Sequence, residues 1–341
     1  MIKMKEYRIT TEINRTDWSD FVLNHPHGNI FQTPEMFDVF MMIKNSYPVL
    51  TSVMNEDKKI LGILVSVVQM EYPGILGKFT SRSIIWGGPL ILNNNKDVLD
   101  IILKEYNKII CKKAIYSQFR NLWETSDADG FRPCFEDNGF LYEDHLNILL
   151  NIEQSEDILW KNIHTKRRNE IRRAHKEGTS FTELTTEKEV EEAYHILGNV
   201  YSKAKLPLYN RSVFSKAFEK LYPKGMIRFF GAMHQDKLIG VIVVLCYKDR
   251  IYDWYAGSYK EYHNKYPNDL LPWEVFLWGK RNDYKIFDFG GAGKPNQPYG
   301  VRDYKKKFGG QFVCFGRFEK IHKPFLMKTG KIAFKLWQKF R

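Results

Sequence analysis

Two stretches of the chain, half a chain length apart, carry the same order of polar and apolar positions. Each has a polar turn, two apolar residues, a glycine and a run rich in β-branched residues, at Asp57–Val67 and at Gln235–Leu245. This pattern predicts a hairpin that leads into a buried strand. A second pair with a shared tryptophan, Arg82–Gly88 and Arg250–Gly257, follows in the same order. Short matches of this kind also arise by chance, but two in the same order favour an internal duplication.

The segments that flank these predicted strands show the apolar spacing of helices. Apolar residues at three- and four-residue spacing predict helices over 97–114, 187–204 and 270–280. Strands mixed with helices in each half predict two domains of the α/β (α+β) class. The polar stretch 151–157 is the expected boundary, because Ser155 or Asp157 can cap a following helix. We therefore predict domains over 1–152 and 153–322, and a basic amphipathic helix over 323–341.

A basic helix is predicted at the start of the second domain, ending near Gly178. Arg167 falls on its apolar stripe, whereas most of its other cations are free to face outward. A buried guanidinium requires a carboxylate, carbonyl groups or a ligand phosphate. The sequence leaves both a structural ion pair and a ligand role open for Arg167. The residues of the stripe are Trp160, Ile163, Arg167, Ile171 and Ala174.

The composition narrows the class of protein. The 341 residues include 52 Lys and Arg against 40 Asp and Glu, which gives a net charge of +12 and favours an anionic partner. The four cysteines form no C-x-x-C pair, and no histidine spacing is typical of a metal site. No apolar run is long enough for a transmembrane helix, and the first residues contain no apolar signal region. We therefore expect a cytoplasmic protein without a metal.

Four segments resemble motifs of the FemAB-type peptidoglycan aminoacyltransferases. The segment Trp160–Gly178 is similar to the opening of the family's second half, and Phe31-Gln-Thr-Pro34 is similar to its early Phe-Gln-Ser/Thr-Pro sequence. The stretch from Trp254 to Glu274 resembles its aromatic strand, loop and helix. Asp288–Gly293 with Gly300–Gly309 resembles its C-terminal Asp-Phe-x-Gly and Phe-Lys-x-x-Phe signatures. Together the four cover residues 30 to 320, and the chain resembles the compact members that lack a coiled-coil arm.

The resemblance implies a fold, a reaction and site residues. The fold is a tandem duplication of GNAT-like domains with mixed central sheets. The reaction moves an amino acid from aminoacyl-tRNA to an amine of a peptidoglycan precursor stem peptide. Lys305 falls on the lysine implicated in stabilising the oxyanion, and Tyr304 falls on its aromatic partner. Arg211 and Tyr255 fall near positions that contact the precursor, although a surface role is equally open for Arg211; Arg167 is a further substrate-binding candidate. Where the family often has a tryptophan and a phosphate-binding lysine, this chain has Met36 and Phe40.

Two other classes of function stay open. A CoA-dependent GNAT N-acyltransferase would share the fold, but the segment 257–267 has one glycine and several bulky aromatics, which is a poor cradle for a pyrophosphate. Acetyl-CoA is therefore disfavoured, and we expect no cofactor. The alternative is a non-enzymatic module that binds a membrane surface or nucleic acid through its basic segments. We expect a monomer whose segment 323–341 contacts the inner face of the membrane.

Overall fold

The computed structural model describes residues 7–70, 77, 80–125 and 130–327, which form two compact units. One unit contains the chain up to Asp144 together with the residues from Phe315 onward, and the other comprises His145–Cys314. These units differ from the predicted ranges 1–152 and 153–322 at both boundaries. Leu146–Asn151 and Arg317–Ile321 cause the difference, because each pairs in the sheet built mainly by the other half of the chain.

The strands of the described residues are numbered in chain order. They are β1 (Arg8–Thr10), β2 (Ser46–Met54), β3 (Ile60–Gln69), β4 (Arg82–Trp86), β5 (Leu90–Ile91), β6 (Tyr116–Arg120), β7 (Leu141–Glu143), β8 (Leu146–Asn151), β9 (Ser180–Glu183), β10 (Ile227–His234), β11 (Lys237–Tyr247), β12 (Arg250–Ser258), β13 (Ile286–Gly291), β14 (Gln311–Cys314) and β15 (Arg317–Ile321). The first sheet has the order β1-β2-β3-β4-β6-β15-β7, with β5 beside β3, and the second has the order β14-β8-β13-β12-β11-β10-β9. Each sheet contains one parallel pair, β4 with β6 and β12 with β13, among antiparallel neighbours. The predicted mixed sheets are confirmed.

The helices follow the predicted periods closely. They are α1 (Arg15–Asn24), α2 (Pro34–Met41), α3 (Lys96–Ile110), α4 (Phe131–Asp137), α5 (Glu156–Asn162), α6 (Thr165–Lys176), α7 (Glu187–Ala204), α8 (Arg211–Leu221), α9 (Pro267–Arg281) and α10 (Gly300–Lys306). The basic helix predicted to carry the stripe from Trp160 to Ala174 is not continuous, because it breaks at Ile163 and His164 into α5 and α6. The side chain of His164 accepts a hydrogen bond from the Lys166 amide and so caps the start of α6.

The duplication extends to the irregularities of the sheets. In the hairpin of β2 and β3, Val53 pairs with Gly62 and the next pair skips Leu61. In the hairpin of β10 and β11, Ala232 pairs with Gly240, and the next pair skips one residue in the same way. Both repeated glycines therefore follow the extra residue of a bulge. At Gly62 a Cβ would lie within 2.9 Å of side chains of α3 and β5, so the close approach requires glycine.

Helices cover both faces of the second sheet. α6 and α9 pack on the face that carries Phe230, whose ring lies 5.0 Å from that of Trp278 in α9. α8 covers the opposite face with α7, and there Phe229 lies 5.9 Å from Phe218. α10 joins the α6 and α9 side through Tyr304, which packs against the same cluster of buried residues.

Two expectations concern the membrane. Among the helices within the described ranges, none is long and apolar enough to cross a bilayer. The amphipathic helix predicted over 323–341 lies mostly outside the described residues, which end at Met327.

Candidate active site in the second unit

The two parallel strands at the centre of the second sheet separate after a short ladder. β12 and β13 pair over three residues, and the last pair is Tyr252 with Asp288. Beyond that point β12 stays paired with β11, but the register shifts and Trp254 is the extra residue of a bulge. A bulge bends and twists its strand, which lets β12 leave β13. The space between the two strands beyond Tyr252 and Asp288 is here called the β12–β13 gap.

Lys305 connects the two strands of the β12–β13 gap. Its Nζ donates a hydrogen bond to the carbonyl oxygen of Phe289 on β13 and lies 3.7 Å from Oδ2 of Asp253 on β12. Both charged side chains are largely buried, at 16% and 15% exposure. An ammonium has three N–H donors, and within the described ranges it makes one hydrogen bond, to Phe289, and one ion pair, to Asp253, which leaves capacity for a further acceptor. The structure thus holds a positive charge at the point where β12 and β13 are no longer hydrogen-bonded to each other.

Two buried carboxylates lie near this ammonium. Burial raises the pKa of Asp253, and the charge of Lys305 acts in the opposite direction. Burial likewise raises the pKa of Asp288, which the amide of Gly290 opposes. Oδ1 of Asp288 accepts that amide at 2.7 Å, whereas Oδ2 has no hydrogen-bond partner within the described part of the chain. The charge of the Lys305 ammonium opposes the rise of both pKa values, and Asp253 is the acid that forms an ion pair with it.

Tyr304 lies half-buried beside an ion pair. Its hydroxyl donates to the carbonyl oxygen of Asn268 at 2.5 Å, and the Arg167 guanidinium lies 5.0 Å from the centre of its ring. Arg167 donates hydrogen bonds to Asp269 and, at 2.9 Å, to Glu170. Burial raises the pKa of Asp269 to about 6, although Arg167 opposes the shift. Arg167 therefore has two carboxylate partners, Glu170 on its own helix and Asp269, which joins α6 to α9, as expected for a structural ion pair.

Tyr255 lies in an aromatic cluster beside the gap. Its ring is 5.4 Å from that of Tyr201 and 5.2 Å from that of Phe214. Burial raises the pKa of Tyr255. Burial and the nearby Asp253 carboxylate raise the pKa of Tyr201 to about 12, so this cluster borders the carboxylate of the gap. The rings cross at 63° and 57°, so the cluster packs edge to face and holds Tyr255 in place.

Arg211 lies apart from this group of contacts. It begins α8, is exposed, and pairs with Glu191 of α7 at 2.7 Å. Lys305 and Tyr304 are neighbours on α10, and Arg167 of α6 lies over the ring of Tyr304. Tyr255 lies on β12, two residues after Asp253. The ion pair between Arg211 and Glu191 fits the surface role that the sequence left open for Arg211.

Sequence reasoning missed the acidic members of the site. Asp253 and Asp288 each interrupt a strand of otherwise apolar or aromatic residues, Ile251–Tyr255 and Ile286–Phe289. A carboxylate at such a position must be buried with a partner or serve a ligand, and this is the signal that could have identified both. Asp269 could be found only from the structure, because its partner Arg167 is distant in sequence.

The positions that depart from the family pattern belong to the core of the first unit. Met36 is fully buried in α2, and Phe40 is 2% exposed. The Phe40 ring stacks on Trp86 at 5.6 Å. Neither side chain is available to a phosphate.

Comparisons with known proteins follow this geometry. Residues 165–306 match the family described as the acetyltransferase (GNAT) domain. No curated protein matches the chain significantly in sequence. Among solved structures, FemX is similar over 95% of this chain and 99% of its own, with a TM-score of 0.73 and 14% identity. L-PGS from Bacillus licheniformis is similar over 96% of this chain and 98% of its own, with a TM-score of 0.60 and 14% identity. A tandem GNAT protein from the clavulanic acid biosynthesis pathway is similar over 94% and 99%, with a TM-score of 0.57 and 10% identity.

These similarities extend over nearly the whole length of each protein, and at such identities they concern the fold. The match to the GNAT domain covers most of the second unit, which contains the β12–β13 gap. The chain therefore has a tandem GNAT-like fold, which agrees with the resemblance of its sequence to the FemAB-type aminoacyltransferases.

Proposed function

We propose that the chain is an aminoacyltransferase that moves an amino acid from aminoacyl-tRNA to an amine of a peptidoglycan precursor stem peptide. The observation that carries the proposal is the buried Lys305 ammonium, fixed between Asp253 and the Phe289 carbonyl with capacity for a further acceptor. The fold shared with FemX and L-PGS supports the same class of reaction. The Lys305 position also matches the family signature in sequence.

The reaction requires few groups from the protein. The acceptor amine attacks the carbonyl carbon of the aminoacyl ester, a C–N bond forms, and the carbonyl oxygen gains negative charge. The ester C–O bond then breaks, the ribose hydroxyl leaves with a proton, and the amine loses one. Lys305 would donate a remaining N–H to the developing oxyanion, which is the step that most needs a fixed charge. Asp253 and the Phe289 carbonyl would hold the lysine in place during the reaction.

The start of α9 favours aminoacyl-tRNA over acetyl-CoA as the donor. A helix that cradles a pyrophosphate offers free N–H groups and no negative charge at its N-terminus. α9 instead begins with Pro267, which has no N–H, and carries the carboxyl group of Asp269 in its first turn. We therefore propose that the transfer needs no CoA; a cytoplasmic monomer at the inner face of the membrane stays a prediction from the sequence.

The test uses Lys305→Ala and a matched control. We expect the substitution to lower kcat/KM for transfer from charged tRNA to nucleotide-linked or lipid-linked precursor by about 100- to 1000-fold, as for loss of one oxyanion donor. Lys306→Ala is the control, because Lys306 is exposed on the same helix and lies over Phe312. Transfer is followed by mass spectrometry of the precursor, and thermal unfolding checks the fold of each variant. Equal turnover by the two variants would show that Lys305 has no role in the reaction.

A CoA-dependent N-acyltransferase is the second candidate, and the match of residues 165–306 to the acetyltransferase domain favours it. A ligand that binds the folded state raises the temperature of unfolding. A clear rise with acetyl-CoA, together with no transfer from any charged tRNA, would replace the first proposal by this one. Unchanged muropeptides in cells that lack the protein would point the same way.

A further inference from the structure

The outward face of α6 carries a concentration of positive charge. The helix spans twelve residues, and its apolar residues Ile171 and Ala174 are buried in the core of the second unit. One acidic residue lies on the helix, Glu170, and it bonds the inward Arg167. The remaining cations are exposed or half-buried and are called the basic face. They are Lys166, Arg168, Arg172, Arg173 and Lys176.

Neutral groups hold the three guanidinium groups of the basic face. Arg168 donates to Thr165 Oγ1 at 3.1 Å. Arg172 donates to Asn169 Oδ1 at 3.2 Å and lies 5.2 Å from the ring centre of Trp160. Arg173 donates to the Tyr266 hydroxyl at 3.4 Å.

This arrangement differs from an ordinary solvated helix. Such a helix usually pairs cations with acids three or four residues away, which neutralises the charge. Lys166 makes such a pair with Glu170 at 3.9 Å, but among the residues that the structure describes the three arginine side chains have neutral partners that restrict them without neutralising their charge. Less conformational entropy is then lost when the guanidinium groups bind an anion.

The basic face adjoins the helix that carries Lys305. The amide of His164, just before α6, donates to the carbonyl oxygen of Lys307 at 2.9 Å, just after α10. One turn further along α6, Arg167 lies over the ring of Tyr304. A polyanion that follows α6 toward its N-terminus therefore comes to α10.

We infer that the basic face binds the phosphate backbone of RNA and positions the acceptor arm of the donor tRNA. The inference rests on the proposed function, because it assigns a surface to the donor of that reaction. Arginine forks bind phosphate oxygens in a bidentate manner, and an array of them suits a chain of phosphates. A membrane surface fits less well, since an interfacial helix buries apolar side chains in the lipid. The apolar residues of α6 are already buried against its own unit.

The binding test uses the full chain and an uncharged tRNA transcript labelled at its 5′ end. Fluorescence anisotropy gives the affinity of the wild type and of Arg168→Gln/Arg172→Gln/Arg173→Gln over a range of potassium chloride concentrations. Each phosphate contact contributes roughly 0.7 to 0.9 to the slope of log affinity against log salt. We expect the triple variant to bind at least about tenfold more weakly at low salt, with a slope smaller by about 2.

Two further variants separate charge from folding. Arg168→Lys/Arg172→Lys/Arg173→Lys keeps the charge, and we expect it to retain the salt slope. Lys188→Gln/Lys203→Gln/Lys205→Gln removes three exposed cations from α7 and its C-terminal cap, on the opposite face of the sheet, and should leave binding unchanged. Circular dichroism and thermal unfolding verify that all three fold.

Each outcome decides the inference. Equal loss of tRNA affinity in the glutamine variants of α6 and α7 would overturn it, and so would no loss in either. Loss of sedimentation with phosphatidylglycerol vesicles without loss of tRNA binding would assign the basic face to the membrane instead. Aminoacyl transfer that survives in a triple variant with unchanged tRNA affinity would refute the surface and leave the proposed function standing. Tight tRNA binding that depends on α6, without any aminoacyl transfer, would support the surface and refute the proposed function.

Discussion

In each of the two units a central strand separates from one of its neighbours, and different side chains fill the opening. β4 and β12 are equivalent strands of the duplication, and each leaves one of its neighbours. In the first unit β4 stays with β6 over five residues, from Arg82 with Tyr116 to Trp86 with Arg120. It pairs with β3 over three residues only, at Val67 to Gln69. In the second unit β12 stays with β11 and separates from β13.

A neutral side chain closes the opening in the first unit. The amide of Gln32, which is fully buried, accepts a hydrogen bond from Val65 N at 2.8 Å. It donates to Val65 O at 3.2 Å and to Trp86 O at 2.9 Å. Gln32 therefore replaces a peptide group between β3 and β4. The segment Phe31-Gln-Thr-Pro34, chosen from its resemblance to a family motif, has a structural role here.

The difference indicates a structural role for Gln32 and a chemical role for Lys305. A primary amide uses its donors and acceptor on the backbone and adds no charge, so it only completes the sheet. A lysine in the equivalent situation brings a charge, requires a carboxylate and has capacity for a further acceptor. This contrast is why we assign the candidate chemistry to the second unit.

The largest expected effect is on the stability of the first unit. Gln32→Leu leaves two carbonyl groups and one amide buried without partners, each costing about 1 to 3 kcal/mol. We expect the free energy of unfolding to fall by about 4 kcal/mol, or the chain to fail to fold. Chemical unfolding followed by circular dichroism measures the change. Gln311→Leu, at an exposed position of β14, is the control and should change stability by less than about 0.5 kcal/mol.

A smaller effect is expected in the β12–β13 gap. Asp253→Asn keeps the shape of the side chain but removes the charge that faces Lys305 at 3.7 Å. We expect kcat to fall about tenfold with KM within about twofold, because the substitution affects the position of the lysine rather than the binding of substrate. Asp249→Asn, in the exposed turn before β12, should leave both constants unchanged. A change in KM alone would mean that Asp253 binds substrate.

The smallest effect concerns a hydroxyl network that joins β4 to β6 in the first unit. Tyr106 donates to Ser83 at 2.8 Å, and bonds of 2.6 Å join it to Ser117 and Ser117 to His322. Burial lowers the pKa of His322 to about 4, with help from Lys320 and Lys323.

The unfolded chain therefore binds a proton between pH 6.5 and 4 that the folded chain does not. Stability should fall as pH falls through this window. His322→Asn should reduce the slope of unfolding free energy against pH, whereas the exposed His195→Asn should not. An identical slope in the wild type and both variants would contradict the assignment.

Much of the fold could be predicted because local patterns decide it. The repeated polar turn, glycine and β-branched run gave the two hairpins, and the period of α7 gave both its ends at Glu187 and Ala204. The exchange of β8 and β15 between the sheets could not be predicted, since the residue order of neither strand specifies which sheet it joins. Hydrogen bonding between distant segments settles that choice.

The candidate site divides in the same way. The sequence by itself indicated the duplication and the basic helix, and its resemblance to a family signature pointed to Lys305, because each depends on residue order within short segments. Only the tertiary structure decided that Lys305 lies between Asp253 and the Phe289 carbonyl, and that Arg167 is neutralised by Asp269. The reason is physical: a buried charge is defined by its partners, and these come from strands and helices that are distant in sequence.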